Sequence, residues 1–250
     1  MRIMTFNLLC YGEGEHSMEN RRQLAVQTIQ DYSPDSVGVQ EATPEWMWWL
    51  SDKLSDYAYI GIGRDDGENC GEYATIFYLK DKYKVVDSGS FWISDTPDTP
   101  SKGWDAVCNR ICTWAVLENI QTGQQYAHMN THLDHRGELA RTNGVQMILD
   151  KAADFDLPLV CTGDFNLLEG GLLYKQLMSG VLRDTKYLAP DTMQSPTFHH
   201  FELPADEKNV IDYILVNDKI KPLVYRVVTE GIDGKFVSDH YPVYADVVIK

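Results

Sequence analysis

Apolar segments that stop at an acidic, amide or imidazole side chain are the strongest constraint in this sequence. In the clearest case, residues 157–161 predict a buried strand entered through a proline, and Asp164 and Asn166 follow it. We interpret Gly163 as the residue at which the backbone turns. Open α/β sheets place ligands at the carboxyl ends of their strands, which favours a site here. This segment alone is weak support, because Asp and Asn are ordinary turn formers.

The same arrangement recurs along the chain, and its polar residues are Asn7, Glu41, His132, Asp164, Asn166, Asp212, Asp239 and His240. Each of them alone has an ordinary structural explanation, such as a turn, a helix start or a paired buried acid. Several carboxylates buried near one sheet edge are costly, however, unless a cation or protons neutralise them. Oxygen ligation by Glu41, Asp239 and the amide oxygen of Asn7 suits Mg²⁺ or Mn²⁺ better than Zn²⁺.

Histidines and one arginine supply the second half of a phosphoester site. An imidazolium beside a carboxylate is a charged donor toward a phosphoryl oxygen. The sequence offers two such pairs, Asp212 with His240 and Glu72 with His132. Arg110 adds a guanidinium that suits phosphate. We therefore predict carboxylates that bind metal and activate water, with the histidines and Arg110 holding the phosphate.

Predicted strands and helices alternate along the chain, which indicates an α/β protein. Apolar residues at helical spacing predict helices over residues 19–32, 138–153 and 172–179. A further helix is predicted to begin at Thr43-Pro44, with threonine as the N-cap and proline at the first helical position.

Composition limits the domain organisation, the location and the partners. A length of 250 residues, with 44% apolar and 24% charged residues, favours one globular domain over 1–250. We expect a cytoplasmic location, because no signal-peptide pattern and no membrane-length apolar run is present. The five cysteines are scattered, which predicts free thiols. Asp plus Glu outnumber Lys plus Arg by 37 to 22, and the formal net charge of −15 disfavours tight, sequence-independent nucleic-acid binding.

Five short motifs occur in one order: Val39-Gln40-Glu41, Asn130-Thr131-His132-Leu133-Asp134, Asp164-Phe165-Asn166, Ile211-Asp212-Tyr213-Ile214 and Ser238-Asp239-His240-Tyr241-Pro242. With these motifs the chain resembles the endonuclease/exonuclease/phosphatase superfamily, also called DNase I-like, over almost its whole length. Loops at 63–67 and 101–106 are similar to those of an uncharacterised bacterial branch. The resemblance implies a four-layer α/β/β/α sandwich, in which two mixed β-sheets are flanked by helices and the site lies at one edge.

The resemblance also implies a metal site and a water-activating group. Asn7, Glu41 and Asp239 would bind the metal, which we expect to be Mg²⁺ or Mn²⁺. Asp164 would orient or deprotonate the attacking water, and Asn166 would position that water and the phosphoryl oxygens.

The remaining roles concern the phosphate itself. His240, supported by Asp212, would stabilise the transition state. His132 would donate a hydrogen bond to a non-bridging oxygen, and Arg110 would bind the phosphate. Glu72 would act behind these groups as the partner of His132.

The predicted function is that of a divalent-metal-dependent phosphoester hydrolase, and we predict a phosphodiesterase that uses in-line attack of water. The substrate stays open between a small molecule, a lipid-like phosphoester and nucleic acid. The acidic charge favours the first two over long duplex DNA. We expect a monomer.

Three alternatives remain at this stage. The chain is a phosphate-binding module without catalysis, a nuclease acting on DNA or RNA within the same superfamily, or a zinc hydrolase. The last is suggested by residues 130–135, which resemble a His-x-His-x-Asp-His zinc motif. Asn130 stands where that motif has its first histidine.

Overall fold

Two β-sheets form the centre of the molecule, and the computed structural model describes all residues from 1 to 250. The strands are β1 (Arg2–Asn7), β2 (Ser36–Ala42), β3 (Tyr57–Ile60), β4 (Tyr73–Leu79), β5 (Tyr83–Trp92), β6 (Ile111–Asn119), β7 (Gln125–His132), β8 (Leu159–Asp164), β9 (Arg183–Asp184), β10 (Asp191–Thr192), β11 (Asp212–Val216), β12 (Ile220–Val227) and β13 (Val243–Ile249). One sheet has seven strands in the order β10-β12-β13-β1-β2-β4-β3, and the other has six in the order β5-β6-β7-β8-β11-β9. Both sheets contain parallel and antiparallel pairs, so both are mixed.

Helices cover the outer faces of both sheets. They are α1 (Met18–Tyr32), α2 (Pro44–Lys53), α3 (Glu138–Ala153) and α4 (Leu172–Leu177). A short helix α5 (Thr185–Leu188) contacts β11 of one sheet and β12 of the other, and a short 3₁₀ helix lies at Gly14–His16. One apolar cluster joins α1 and α2 to the first sheet, and another joins α3 and α4 to the second. A third fills the space between the sheets. The predicted four-layer sandwich is therefore confirmed. None of the helices is both long and apolar enough to cross a membrane.

The predicted helices form where their apolar spacing placed them. Helix α1 begins one residue before the predicted start, α3 has the predicted bounds, and α4 ends two residues early. At the start of α2, Oγ1 of Thr43 accepts a hydrogen bond from the backbone N–H of Trp46, and Pro44 occupies the first turn. This confirms the predicted N-cap.

Five strands bring polar residues at one of their ends to one edge of the sandwich. In the first sheet β1 and β2 are parallel, with Asn7 at the end of β1 and Glu41 near the end of β2. In the second sheet β7 and β8 are parallel, and His132 lies opposite Asp164. Strand β11 begins at Asp212, which pairs with Asp164 from the other side. The two sheets thus bring residues from distant parts of the sequence together at one edge of the sandwich.

The prediction that Gly163 forms a turn is wrong. Strand β8 continues through Gly163 to Asp164, and the backbone turns at Asn166, whose φ is 50°. Glycine is required inside the strand for a different reason. A Cβ atom at Gly163 would lie 2.3 Å from the carbonyl oxygen of Thr131 in neighbouring β7.

Replacement of Gly163 should therefore strain the pairing of β7 with β8. We expect Gly163→Ala to lower the free energy of unfolding by about 2–3 kcal/mol, because backbone atoms have to move. The measurement is urea denaturation followed by fluorescence. Gly171→Ala is the control, since a Cβ there meets only one atom, at 3.0 Å, and it should cost less than about 1 kcal/mol. Equal stability of the two variants would contradict the close approach.

Candidate active site

A cleft of about 400 Å³ opens at the edge where the polar strand ends meet. Its lining includes eight of the residues proposed from the sequence: Glu41, Glu72, Arg110, His132, Asp164, Asn166, Asp239 and His240. The other two, Asn7 and Asp212, lie behind it and hydrogen-bond to lining residues. The structure therefore brings all of the predicted residues to one place.

His240 lies between two carboxylates at the centre of the cleft. Its Nδ1 is 2.9 Å from Oδ2 of Asp212, and its Nε2 is 3.8 Å from Oδ2 of Asp164. Burial disfavours the charged ring, but the charge and hydrogen bond of Asp212, with help from Asp164, outweigh it and raise the pKa of His240 to about 10. At neutral pH the ring is therefore an imidazolium.

Asp164 is held by two donors and is almost completely buried. Its Oδ1 accepts the backbone N–H of Asn166 at 2.9 Å, which also stabilises the turn after β8. Its Oδ2 accepts the side-chain amide of Asn7 at 2.9 Å. Burial and the nearby charge of Asp212 raise the pKa of Asp164, although His240 opposes the shift. A carboxylate with a raised pKa is suited to accept a proton.

Two residues of the cleft have left-handed backbone angles. The φ of Glu41 is 59° and that of Asn166 is 50°. The register of β2 against β4 shifts between Val39 and Ala42, so Glu41 lies in an irregular part of its strand. Such conformations cost free energy in residues other than glycine and are concentrated at functional sites.

Glu41 in β2 and Asp239 in the segment before β13 are the carboxylates of the predicted metal centre. Glu41 has its pKa lowered in spite of burial, because it accepts hydrogen bonds from the backbone N–H of Cys10 and the amide of Asn7. Asp239 has its pKa raised by burial, with His240 opposing and Glu41 adding to the shift. The potential ligand atoms that lie within 4.8 Å of one another belong to Glu41, His132 and Asp164, and Asp239 is not among them. Two carboxylates and one imidazole can hold a divalent cation, and Asp239 as a metal ligand stays a prediction.

The side chain of Asn7 is turned differently from the prediction. Its Oδ1 accepts the backbone N–H of Leu9 at 3.0 Å, and its Nδ2 donates to Glu41 and Asp164. In this structure Asn7 therefore connects the two carboxylates through its nitrogen. Its role as an oxygen ligand of the metal stays a prediction.

His132 and Arg110 form the opposite wall of the cleft. The Nε2 of His132 is 3.2 Å from Nδ2 of Asn166 and 3.4 Å from Oδ2 of Asp164. Burial, together with the positive charge of Arg110, holds the pKa of His132 well below its usual value. Arg110 is buried against Asp134, with Nε to Oδ2 at 3.4 Å.

The predicted pairing of Glu72 with His132 is corrected by the structure. Both carboxylate oxygens of Glu72 accept hydrogen bonds from Arg64, at 2.7 and 2.8 Å. Sequence reasoning missed Arg64, which also lines the cleft. The sequence feature that could have pointed to Arg64 is the glycine-rich loop from Gly63 to Gly71, which carries Arg64 near one end. In the structure the backbone N–H of Arg64 donates a hydrogen bond to the carbonyl of Glu72, which brings the two ends of that loop together.

Residues 4–240 match the model of the family described as "Endonuclease/Exonuclease/phosphatase family". The chain belongs to the endonuclease/exonuclease/phosphatase family. Enzymes of this family are hydrolases that act on phosphoesters, and they generally depend on divalent metals. The carboxylate and histidine cluster described above lies within the matched residues.

Solved structures of family members have the same fold. The endonuclease/exonuclease/phosphatase from Bacteroides vulgatus is 36% identical, with a TM-score of 0.94 over 100% of this chain and 98% of that one. A mannosyl-6-phosphatase from Bacteroides thetaiotaomicron VPI-5482 is 32% identical, with a TM-score of 0.94 over 100% of both chains.

Comparison by sequence alone finds a more distant relative. An uncharacterized protein of Acanthamoeba polyphaga mimivirus is 28% identical over 160 residues, and the match covers 60% of each chain.

Removal of the Asp212 charge should change the protonation of His240. We expect Asp212→Asn to lower the pKa of His240 from about 10 by at least about 2 units, because only the opposing effect of burial and the weaker attraction of Asp164 remain. The imidazolium would then be lost at a lower pH than in the wild-type protein. The measurement is an NMR titration of the His240 ring in metal-free protein. Asp98→Asn, which changes an exposed acid, is the control, and an equal pKa in both variants would refute the pairing.

Proposed function

We propose that the chain is a Mg²⁺- or Mn²⁺-dependent phosphoester hydrolase that uses in-line attack of water. The observation that carries this proposal is the placement of the buried Asp164 carboxylate beside the His240 imidazolium in the cleft. Such a displacement requires a proton acceptor for the attacking water and a cationic donor to an oxygen on which negative charge develops, both facing the same cleft.

Asp164 and His240 divide the proton and charge requirements between them. Asp164 accepts the proton of the attacking water, since its pKa is raised toward the working pH. His240 donates a hydrogen bond from Nε2 to an oxygen on which negative charge develops. Asp212 holds the ring in this orientation through Nδ1 at 2.9 Å.

Arg110, His132 and Asn166 bind the phosphoryl oxygens in this proposal. Arg110 lines the cleft, and its Nε is held by Oδ2 of Asp134 at 3.4 Å. Asn166 is fixed by its backbone bond to Asp164, which directs its side chain toward His132. Preorganised donors of this kind favour the transition state because they do not have to reorient during reaction.

Glu41 and Asp239 would hold the metal, with Asn7 beside them. A bound divalent cation polarises the phosphoryl group and offsets the negative charge of these acids. The raised pKa of Asp239 supports this assignment, because a carboxyl that is buried beside another acid gains most from a neighbouring cation.

Removal of the Glu41 charge should weaken metal binding without unfolding the chain. We expect Glu41→Gln to reduce the affinity for Mn²⁺ by about tenfold or more, because one anionic oxygen ligand is lost. Isothermal titration calorimetry with MnCl₂ measures this directly. Glu45→Gln, an exposed acid in the next helix, is the control. Unchanged Mn²⁺ affinity in Glu41→Gln would exclude Glu41 as a ligand.

Loss of the Asp164 carboxylate should strongly reduce the rate of hydrolysis. We expect Asp164→Asn to lower kcat by about 10²–10⁴-fold on any phosphoester that the wild-type protein cleaves with Mg²⁺ or Mn²⁺, since the proton acceptor is removed. Asp98→Asn should retain full activity. A wild-type protein that binds Mn²⁺ but cleaves no ester would favour the phosphate-binding module instead.

A phosphomonoester of a sugar is a second candidate substrate, beside the phosphodiester predicted from the sequence. It is favoured by the mannosyl-6-phosphatase, which is 32% identical over the full length of both chains. The net charge of −15 and the cleft volume of about 400 Å³ agree with a small substrate.

Comparison of kcat/KM values separates the candidate substrates. Hexose 6-phosphates, bis-p-nitrophenyl phosphate and single-stranded DNA are compared by kcat/KM under one metal condition. Release of inorganic phosphate only from the sugar phosphates supports the monoesterase, whereas cleavage of the other two supports the phosphodiesterase or the nuclease. Stoichiometric zinc after purification would favour the zinc hydrolase.

A further inference from the structure

Arg21 in helix α1 is a buried cation whose hydrogen bonds go to backbone carbonyl oxygens and not to a carboxylate. The residue is only 2% exposed. Its guanidinium donates to the carbonyls of four residues, namely Leu8 at 2.5 Å, His16 at 2.6 Å, Leu9 at 2.8 Å and Val237 at 3.0 Å. A buried charge without an ion-pair partner is costly, so a benefit elsewhere in the molecule is expected.

Two of these carbonyls belong to the turn after β1, which comprises residues 7–10. Leu9 in this turn has a φ of 56°, a conformation that costs free energy in a residue other than glycine. The carbonyls of the turn accept hydrogen bonds from Arg21, whereas the N–H of Cys10 donates to Oε2 of Glu41 at 2.8 Å. Arg21 therefore stabilises the strained backbone that supplies a donor to Glu41.

A third carbonyl, that of Val237, lies in the segment before β13. The next residue, Ser238, donates from Oγ to Oδ1 of Asp239 at 3.2 Å. The Asp239 side chain is thus attached to backbone that Arg21 holds in place. One guanidinium connects the two segments that support Glu41 and Asp239.

The charge of Arg21 cannot explain a benefit for a metal site. Burial lowers the pKa of Arg21, whereas the negative charges of Asp239 and Glu41 raise it, so the guanidinium and these acids attract each other. The same positive charge repels a metal cation that binds to the acids. Any benefit for metal binding therefore has to come from geometry.

We propose that Arg21 is a positioning residue of the metal centre, because it fixes the turn after β1 against the segment before β13 and thereby sets the positions of Glu41 and Asp239. Partners that orient metal ligands without contacting the metal tune its affinity in this way. The effect on metal binding rests on the proposed function. The placement of the Cys10 N–H against Glu41 does not.

The first test measures the Mn²⁺ affinity of Arg21→Met by isothermal titration calorimetry. This variant keeps an unbranched side chain and removes every donor. We expect the affinity to fall by about tenfold or more, as for other residues that orient metal ligands. A role through charge alone predicts the opposite, because loss of a nearby cation strengthens the attraction for Mn²⁺. Unchanged or higher affinity in folded Arg21→Met overturns the proposal.

Ile29→Ala is the matched control for a general loss of stability. Ile29 lies in the same helix and is completely buried in the apolar cluster that joins α1 to the first sheet. Its truncation destabilises the chain but leaves the hydrogen bonds of Arg21 in place. We expect wild-type Mn²⁺ affinity in this variant. An equal loss of affinity in both variants would contradict the proposal.

The second test needs no metal. Amide hydrogen exchange, followed by NMR in metal-free protein, reports the hydrogen bond from Cys10 to Glu41. We expect Arg21→Met to speed exchange at Cys10 by about tenfold or more relative to the amides of β8, because the turn opens locally. Ile29→Ala should leave this ratio unchanged. A wild-type ratio in Arg21→Met would also overturn the proposal.

A wild-type protein that binds neither Mg²⁺ nor Mn²⁺ would defeat the proposed function, and the exchange at Cys10 would still decide whether Arg21 holds the turn. If circular dichroism shows that Arg21→Met is unfolded, Arg21→Lys takes its place. Its ammonium keeps the charge, but its three donors on one atom cannot reach all four carbonyls. Wild-type Mn²⁺ affinity and a wild-type exchange ratio in folded Arg21→Lys would then contradict the proposal.

Discussion

The buried group of Asp212, His240 and Asp164 is the interaction on which the rest of this site depends. Two carboxylates this close, each at most 2% exposed, are tolerated because an imidazolium lies between them. Their attraction keeps the His240 ring charged in spite of burial. Asp164, in contrast, has its pKa raised by burial and by the charge of Asp212, although His240 opposes the shift. One acid orients the ring, and the other is left reactive.

This charge arrangement is fixed by strand register. Asp212 and Asp164 face each other because β11 pairs antiparallel with β8, and His132 faces Asp164 because β7 is parallel to it. A slip of one residue would turn these side chains to the opposite face. Gly163 protects the register on one side, since its neighbour β7 leaves no room for a Cβ. The second sheet contributes His132, Asp164 and Asp212, the first contributes Asn7 and Glu41, and Asp239 and His240 lie in the segment just before β13 of the first sheet.

Prediction from the sequence succeeded where the residue types and the order of the motifs along the chain were sufficient. Asp164, Asp212 and His240 were identified because polar residues at the ends of apolar strands require an explanation, and the structure brings them into contact. The prediction about Gly163 failed, because glycine after an apolar run has two causes, a turn or a close approach, that look alike in sequence. Only the neighbouring strand distinguishes them.

The partner of Glu72 shows the same limit. An acid from a loop and a histidine from a strand were expected to pair, but Arg64 lies at the other end of the loop that carries Glu72, and a bidentate guanidinium is the stronger partner. The sequence by itself determined the fold class, the family and the residues that meet at one edge, since these follow from periodicity and motif order. Tertiary structure decided which donors face which acceptors, including the nitrogen rather than the oxygen of Asn7 toward the acids. Such pairings depend on how side chains from different elements approach one another in three dimensions, and no local pattern encodes them.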